Sequence, residues 1–264
     1  MRNLLRRSFS AIVYVFLFVT AILFSKESYI TLTSIFAIIC IWEFSKLIAL
    51  KKFVQYLIYG LLIFLLLRFR TTSAVFVLLV VTLISSIQLI YKLFRGIEIK
   101  PTTDVSKLFL STRYIILSLG FLVMIPFFDG IYTPNILIGI LVLIWTNDSF
   151  AFLVGKNIGR TKLFVSVSPK KTVEGFIGGL VFALIVGYLV GLQTQLFTTT
   201  NWLIIAAMIS IIGTIGDLVE SKFKRQANIK DSGNIMPGHG GLLDRLDSLL
   251  FASPFVYLYI HYLI

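Results

Sequence analysis

Residues 73–94 read SAVFVLLVVTLISSIQLIYKLF, with Lys92 as the one charged side chain. About 20 apolar residues in a helix, each rising 1.5 Å, cross the ~30 Å hydrocarbon layer of a bilayer. The stretch therefore reads as a membrane helix, and the composition around it agrees. Of 264 residues, 58% are hydrophobic and 14% are charged, and Phe occurs 24 times. Soluble domains carry roughly 25% charged residues. A chain so composed cannot hide its apolar side chains from water, which excludes a soluble protein. Cys40 is the single cysteine, which excludes an internal disulfide framework and a Cys-based metal site.

Working outward from that stretch, candidate spans fall at about 9–25, 28–49, 53–68, 73–94, 108–128, 135–155, 173–192, 201–221 and 243–264. The expected fold is all-α: a polytopic integral membrane protein of about nine transmembrane helices in one transmembrane domain, 1–264. Lys and Arg gather on the cytoplasmic side of such proteins. Here Arg2, Arg6 and Arg7 fall on one side, followed by Lys46, Lys51 and Lys52, and by Lys92, Arg95, Lys100 and Lys107. The same side takes Lys156, Arg160, Lys162, Lys170 and Lys171, then Lys222, Lys224, Arg225, Lys230 and Arg245. The other side holds Lys26, Arg68 and Arg70, and Arg113 lies within the fifth span. The expected N-terminus is therefore cytoplasmic and the C-terminus outside. The formal net charge of +12 reports topology and anionic headgroups, and disfavours nucleic acid as a partner. Arg2, Arg6 and Arg7 before an apolar run also resemble a signal peptide, but no small-x-small cleavage site closes the run. An uncleaved first span is expected.

The chain divides by chemistry. Residues 1–128 are mainly scaffold helices. Residues 135–264 carry polar groups at the cytoplasmic ends of spans six to nine, and form the expected catalytic half. Asp148 lies inside the sixth span. Asp217 and Glu220 end the eighth, three residues apart and so on one helix face, and Asp244 and Asp247 open the ninth with the same spacing. Charged groups at bilayer depth cost about 2.5–3.5 kcal/mol on insertion scales and usually face a polar cavity or a partner. Pairing with Lys222, Arg225 or Arg245 is the bland alternative for Glu220. Asp217 stands at a helix C-terminus, where the dipole disfavours a carboxylate unless a cation stands opposite. Convergent Asp oxygens from Asp217 and Asp244, without His or Cys, suit a hard cation, Mg²⁺ first. Zinc is disfavoured, because His239 and His261 are assigned to opposite sides.

Ser168-Pro169-Lys170-Lys171 reads as an N-cap, a first helical residue and two cations in the first turn. Cations there oppose the dipole, and a bound phosphate would compensate. The last cytoplasmic loop runs from Ser221 through Lys222, Lys224, Arg225, Lys230 and Asp231 to Pro237-Gly238-His239-Gly240-Gly241 and Asp244-Arg245-Leu246-Asp247. Glycines let backbone N–H groups approach a phosphate closely. Cations, carboxylates and a glycine turn together describe a metal–polyphosphate site.

Ser221, Lys224, Arg225, Lys230, Asp231, His239, Gly240, Gly241, Asp244, Arg245 and Asp247 resemble, at their spacing, the signature of the phosphatidate cytidylyltransferases, the CDP-diacylglycerol synthases. Met236 stands where Leu, Ile or Phe is usual. Trp145…Asp148 and Ser168-Pro169-Lys170-Lys171-Thr172…Glu174-Gly175 are similar to the family as well. The resemblance implies CMP transfer from CTP to phosphatidate, with release of pyrophosphate, in a cell membrane and at a site facing the cytoplasm. It implies a catalytic group of Asp217, Asp244, Lys224, Arg225 and His239. Mg²⁺ would be held by Asp217 and Asp244, with Asp247 and Asp148 as further candidates. Substrate would be bound by Ser168, Lys170, Lys171, Lys222, Lys230, Gly240, Gly241 and Arg245. Another lipid phosphate as acceptor is one alternative, and a transporter with intramembrane carboxylates is another. A transporter would place its acidic groups near mid-membrane, whereas here they gather at one face. Glu43 is read as structural, paired with Lys46, and Cys40 and His261 as packing residues. Gly175/Gly179 and Gly187/Gly191 are small-xxx-small pairs that permit close helix contact, within the chain or in a homodimer.

Overall fold

The computed structural model of the chain describes residues 2–69, 72–236, 238 and 240–264, with side chains from Ser10 onward. Arg70 and His239 lie outside the described residues, as do the side chains of Arg2, Arg6 and Arg7. Helices occupy most of the chain. They are α1 (Arg2–Phe24), α2 (Lys26–Leu47), α3 (Val54–Arg68), α4 (Ser73–Phe94) and α5 (Asp104–Met124), then α6 (Pro134–Ile158), α7 (Val173–Gln193), α8 (Thr199–Gln226) and α9 (Leu243–Leu258). Among the described residues six of these, α2 and α4 to α8, are long and apolar enough to cross a membrane, while Ser10–Phe24 and Val54–Arg68 are shorter apolar helices.

Local sequence sets the helix ends. Ser25 accepts a hydrogen bond from the Ser28 N–H at 3.1 Å and opens α2, and Thr103 and Ser106 do the same for α5. Such caps satisfy N–H groups that the first helical turn leaves unpaired. Pro134 stands in the first turn of α6, where its missing N–H costs nothing.

Two departures from an all-helical chain occur. The fifth helix stops at Met124, four residues short of the expected end, and Phe127–Phe128 (β1) pairs antiparallel with Ile131–Tyr132 (β2). Pro126 supplies no N–H to continue the helix. Asp129 and Gly130 take φ of 48° and 77°, the doubly left-handed geometry of a tight hairpin turn. The second departure touches the site. Ser168 does not cap the seventh helix, and Lys170 and Lys171 are not in its first turn. Ser168–Thr172 (β4) is a strand paired with Lys162–Phe164 (β3), and the helix starts at Val173. The residue before a proline is pushed toward extended backbone, while Thr172 Oγ1 accepts the Gly175 N–H at 3.1 Å and serves as the real cap.

Glycines decide how closely the helices of the second half pack. A Cβ on Gly179 would lie 2.8 Å from the Asn147 carbonyl oxygen, and one on Gly175 would lie 3.1 Å from the Gly155 Cα. A Cβ on Gly187 would lie 2.9 Å from the Ala206 Cβ, and one on Gly191 would lie 2.7 Å from the Thr199 Cα. Both small-residue pairs are thus used within the chain, the first against α6 and the second against α8. The halves are joined by an aromatic cluster in which Phe44 of α2, Tyr114 of α5 and Phe223 of α8 stand pairwise 5.2 Å apart.

Candidate active site

α8 contains a π-helical turn, Ile209–Gly213, that ends four residues before Asp217. Beyond it Gly216 faces α9 so closely that a Cβ would stand 2.5 Å from the Phe251 Cβ and 3.1 Å from the Asp247 carbonyl oxygen. This contact draws two acidic helix faces together. One oxygen each from Asp217, Glu220 and Asp247 lies within 4.8 Å of the others. Three carboxylates so close repel one another unless a cation or a proton intervenes.

Lysines supply part of that neutralisation. Lys171 Nζ lies 2.5 Å from Asp217 Oδ2, and the Ser221 hydroxyl donates to Asp217 Oδ1 at 3.1 Å. Burial opposes the Lys171 ammonium, but the Asp217 carboxylate outweighs it and holds the lysine pKa above its ordinary value. Lys224 lies deeper and bridges Glu220 Oε2 and Asp244 Oδ1, both at 2.6 Å. The second Glu220 oxygen, Oε1, is buried with no hydrogen-bond partner. A buried polar atom of that kind demands an explanation, and a bound cation shared with Asp217 and Asp247 would supply one. The donor set is all oxygen and anionic, which suits Mg²⁺ or a similar hard ion.

Beside the acidic group lies a cleft of about 500 Å³. Asp148, Lys170, Lys171, Asp217, Asp244, Arg245 and Asp247 line it together with Asn147, Lys156 and Thr172. Residues drawn from α6, β4, α8 and α9 thus meet at one opening. Asp247 is nearly buried, and its Oδ1 accepts the Ser248 N–H at 2.7 Å.

Other expected residues are placed differently. Asp244 is not part of the close carboxylate group. Its Oδ1 holds Lys224, and its Oδ2 accepts the Ser232 N–H (2.9 Å), the Ser232 hydroxyl (3.0 Å) and the Gly241 N–H (2.8 Å). The Gly241 N–H is therefore spent on Asp244, and Gly240, at φ 92°, forms the turn that allows it. Lys222 does not reach the cleft, and its Nζ donates to the Lys92 carbonyl at 2.7 Å. At 100° per residue Lys222 stands about 140° around the helix from Asp217, whereas Ser221 and Lys224 share its face. Arg225 donates to the carbonyls of Val167 and Ile229, both at 3.3 Å. Ser168 is held in the β4 pairing, and Lys230 is exposed in the loop after α8. His239 lies outside the described residues.

Glu220 pairs with Lys224 and not with Lys222, Arg225 or Arg245, and it stands close to Asp217 and Asp247; Glu43 does not pair with Lys46. Glu220 carried a legible signal, its i+3 spacing from Asp217. Glu43 carried none, because its partners are about 200 residues away. Its carboxylate accepts the N–H groups of Leu242 (3.2 Å) and Leu243 (2.8 Å) and the Ser232 hydroxyl (3.3 Å). Lys46, its expected partner, instead lies 3.2 Å from the centre of the Trp42 ring.

The cleft gathers carboxylates and lysines from α6, β4, α8 and α9, a set of groups able to hold a hard cation and phosphate oxygens. The chain matches the cytidylyltransferase family over residues 5–263 and belongs to it. It is 52% identical over 117 residues to the phosphatidate cytidylyltransferase of Bacillus subtilis (strain 168), a stretch that covers 44% of each chain. The phosphatidate cytidylyltransferase of Staphylococcus saprophyticus is 47% identical over 115 residues, which is 43% of this chain and 44% of that protein. The aligned stretch thus spans less than half the length of these relatives.

Proposed function

We propose that the chain transfers CMP from CTP to phosphatidate, giving CDP-diacylglycerol and pyrophosphate, at the cytoplasmic face of a cell membrane. The observation that carries this reading is the meeting of Asp217 and Asp247 with Lys170, Lys171 and Arg245 at one cleft, with the buried Glu220 close behind the two carboxylates. A lipid phosphate oxygen would attack the α-phosphorus of CTP as the bond to the pyrophosphate oxygen breaks. Such a transfer needs positioning and charge neutralisation more than a protein nucleophile. The attacking phosphate is already anionic, so no general base is required.

Lys170, Lys171, Lys156 and Arg245 would orient phosphate groups along the cleft wall. Asp217, Glu220 and Asp247 would hold Mg²⁺, with Asp148 at the same cleft as a further ligand. The ion would neutralise charge on the phosphate oxygens. Lys224 would hold Glu220 and Asp244 together beside the cleft. Nine membrane helices with a cytoplasmic N-terminus would put this cleft at headgroup depth, where both CTP and the phosphate of phosphatidate are within reach. The relatives' name, phosphatidate cytidylyltransferase, supports the same acceptor.

The test is an assay of the purified full chain in detergent with labelled CTP, phosphatidate and Mg²⁺, scored for both products. Both should form and be lost on chelation. Folded protein that makes neither product, but does so with another lipid phosphate, would correct the acceptor. No product with any lipid phosphate would overturn the reading.

A further inference from the structure

Helix α9 begins without a cap of its own. Its N-cap residue is Leu242, which makes no side-chain cap hydrogen bond, yet Asp244 and Asp247 of this helix both line the cleft. The first turn of a helix leaves N–H groups that need acceptors, and its positive end favours an anion. Glu43 meets both needs from α2. It is fully buried, and its two oxygens divide between the Leu242 and Leu243 N–H groups. The Ser232 N–H donates to Asp244 Oδ2, and its one hydroxyl hydrogen is shared between Asp244 Oδ2 at 3.0 Å and Glu43 Oε2 at 3.3 Å. One loop residue thus links the two carboxylates.

The glycines of the loop fit this arrangement. A Cβ on Gly233 would collide with the Glu43 carboxylate, and one on Gly241 would collide with the Ser232 hydroxyl and with Glu43. These two glycines make room for a carboxylate of the protein itself. The Phe44–Tyr114–Phe223 cluster, one residue along α2, fixes that helix against α5 and α8. The position of Glu43 relative to Lys224 is therefore set by packing.

We propose that Glu43 is a positioning residue for the active site: from the scaffold half it anchors Ser232, Leu242 and Leu243, and so sets where Asp244 and Asp247 stand at the cleft and where Asp244 meets Lys224. It touches no reacting atom. The role rests on the cytidylyltransferase reading for its effect on rate, and on geometry alone for its effect on the loop.

The test uses the full chain in detergent with Glu43→Gln and Glu43→Ala, compared with wild type. Glutamine keeps one acceptor oxygen and turns a donor toward the remaining N–H, so the anchor is half lost with little change in volume. Among folded molecules, kcat/KM for CTP should fall on the order of a hundred-fold in Glu43→Ala, the cost of displacing a catalytic group by about 1 Å. Glu43→Gln should be intermediate. Amide hydrogen exchange at Leu242 and Leu243 should quicken in both. A merely structural Glu43 would lower the folded yield and leave kcat and KM per folded molecule at wild-type values. If Glu43→Ala does not fold, Glu43→Gln decides: wild-type kinetics and wild-type exchange at Leu242 and Leu243 would overturn the proposal. A wild-type chain that makes no product from any lipid phosphate would defeat the functional reading instead, and the exchange measurement would then decide the anchoring by itself.

Discussion

Replacing Lys224 by methionine removes the charge that joins α8 to α9 while keeping most of the volume. Its ammonium lies 2.6 Å from both Glu220 Oε2 and Asp244 Oδ1, with side-chain exposures of 9%, 0% and 6% for Lys224, Glu220 and Asp244. At that distance and an effective dielectric near 20, each contact is a gross attraction of about 6 kcal/mol. Most of it is offset by taking the charges out of water. Removing one partner alone leaves the others buried and uncompensated, which costs about 3–5 kcal/mol. At about 2–4 °C per kcal/mol, the melting temperature in detergent should fall by roughly 6–20 °C. Adding Glu220→Gln to Lys224→Met removes one stranded charge and should recover part of the loss. Thermal unfolding of wild type, both single variants and the double variant measures this coupling. A Lys224→Met chain that melts at the wild-type temperature, or a double variant no more stable than Lys224→Met, would refute the reasoning.

Further outcomes follow from the same geometry. Gly216→Ala puts a Cβ 2.5 Å from Phe251 Cβ, so α8 and α9 must part. It should destabilise by about 1–3 kcal/mol and lower kcat more than the loss of folded protein explains, as read by parallel unfolding and kinetic assays. Asp247→Asn removes one of the three close carboxylates. The Mg²⁺ concentration for half-maximal activity should rise at least about ten-fold, and an unchanged Mg²⁺ titration would remove Asp247 from the ligand set. Lys171 has a raised pKa beside Asp217, so its contribution to stability is fully present below the ordinary lysine value near 10.4 and is lost only as pH rises through the raised value. The stability difference between wild type and Lys171→Met should therefore be flat from about pH 6 to 9, and a collapse of that difference below about pH 9 would contradict the pairing.

The helical, largely apolar character of the chain and the approximate positions of its long helices were legible in the sequence. Hydrophobic length and the distribution of Lys and Arg are local properties, so residues 73–94 announce α4 without reference to anything else. The i+3 spacing of Asp217 and Glu220, and of Asp244 and Asp247, declared two acidic helix faces in the same way. The sequence did not say how those faces meet. Asp217, Glu220 and Asp247 form the close group because Gly216 lets α8 approach α9, while Asp244 turns aside to bind Lys224, Ser232 and Gly241. Lys170 and Lys171 reach the cleft from a strand and not from a helix end, because Thr172 competes successfully with Ser168 for the cap. Glu43 is the extreme case. Its type and neighbours spoke of an interfacial ion pair, and its partners at Ser232, Leu242 and Leu243 lie beyond the reach of any local pattern. Periodicity and charge act within a few residues of one another, and so they can be read from the chain. Which carboxylate receives which N–H depends on packing between helices remote in sequence, and only the tertiary structure decides that.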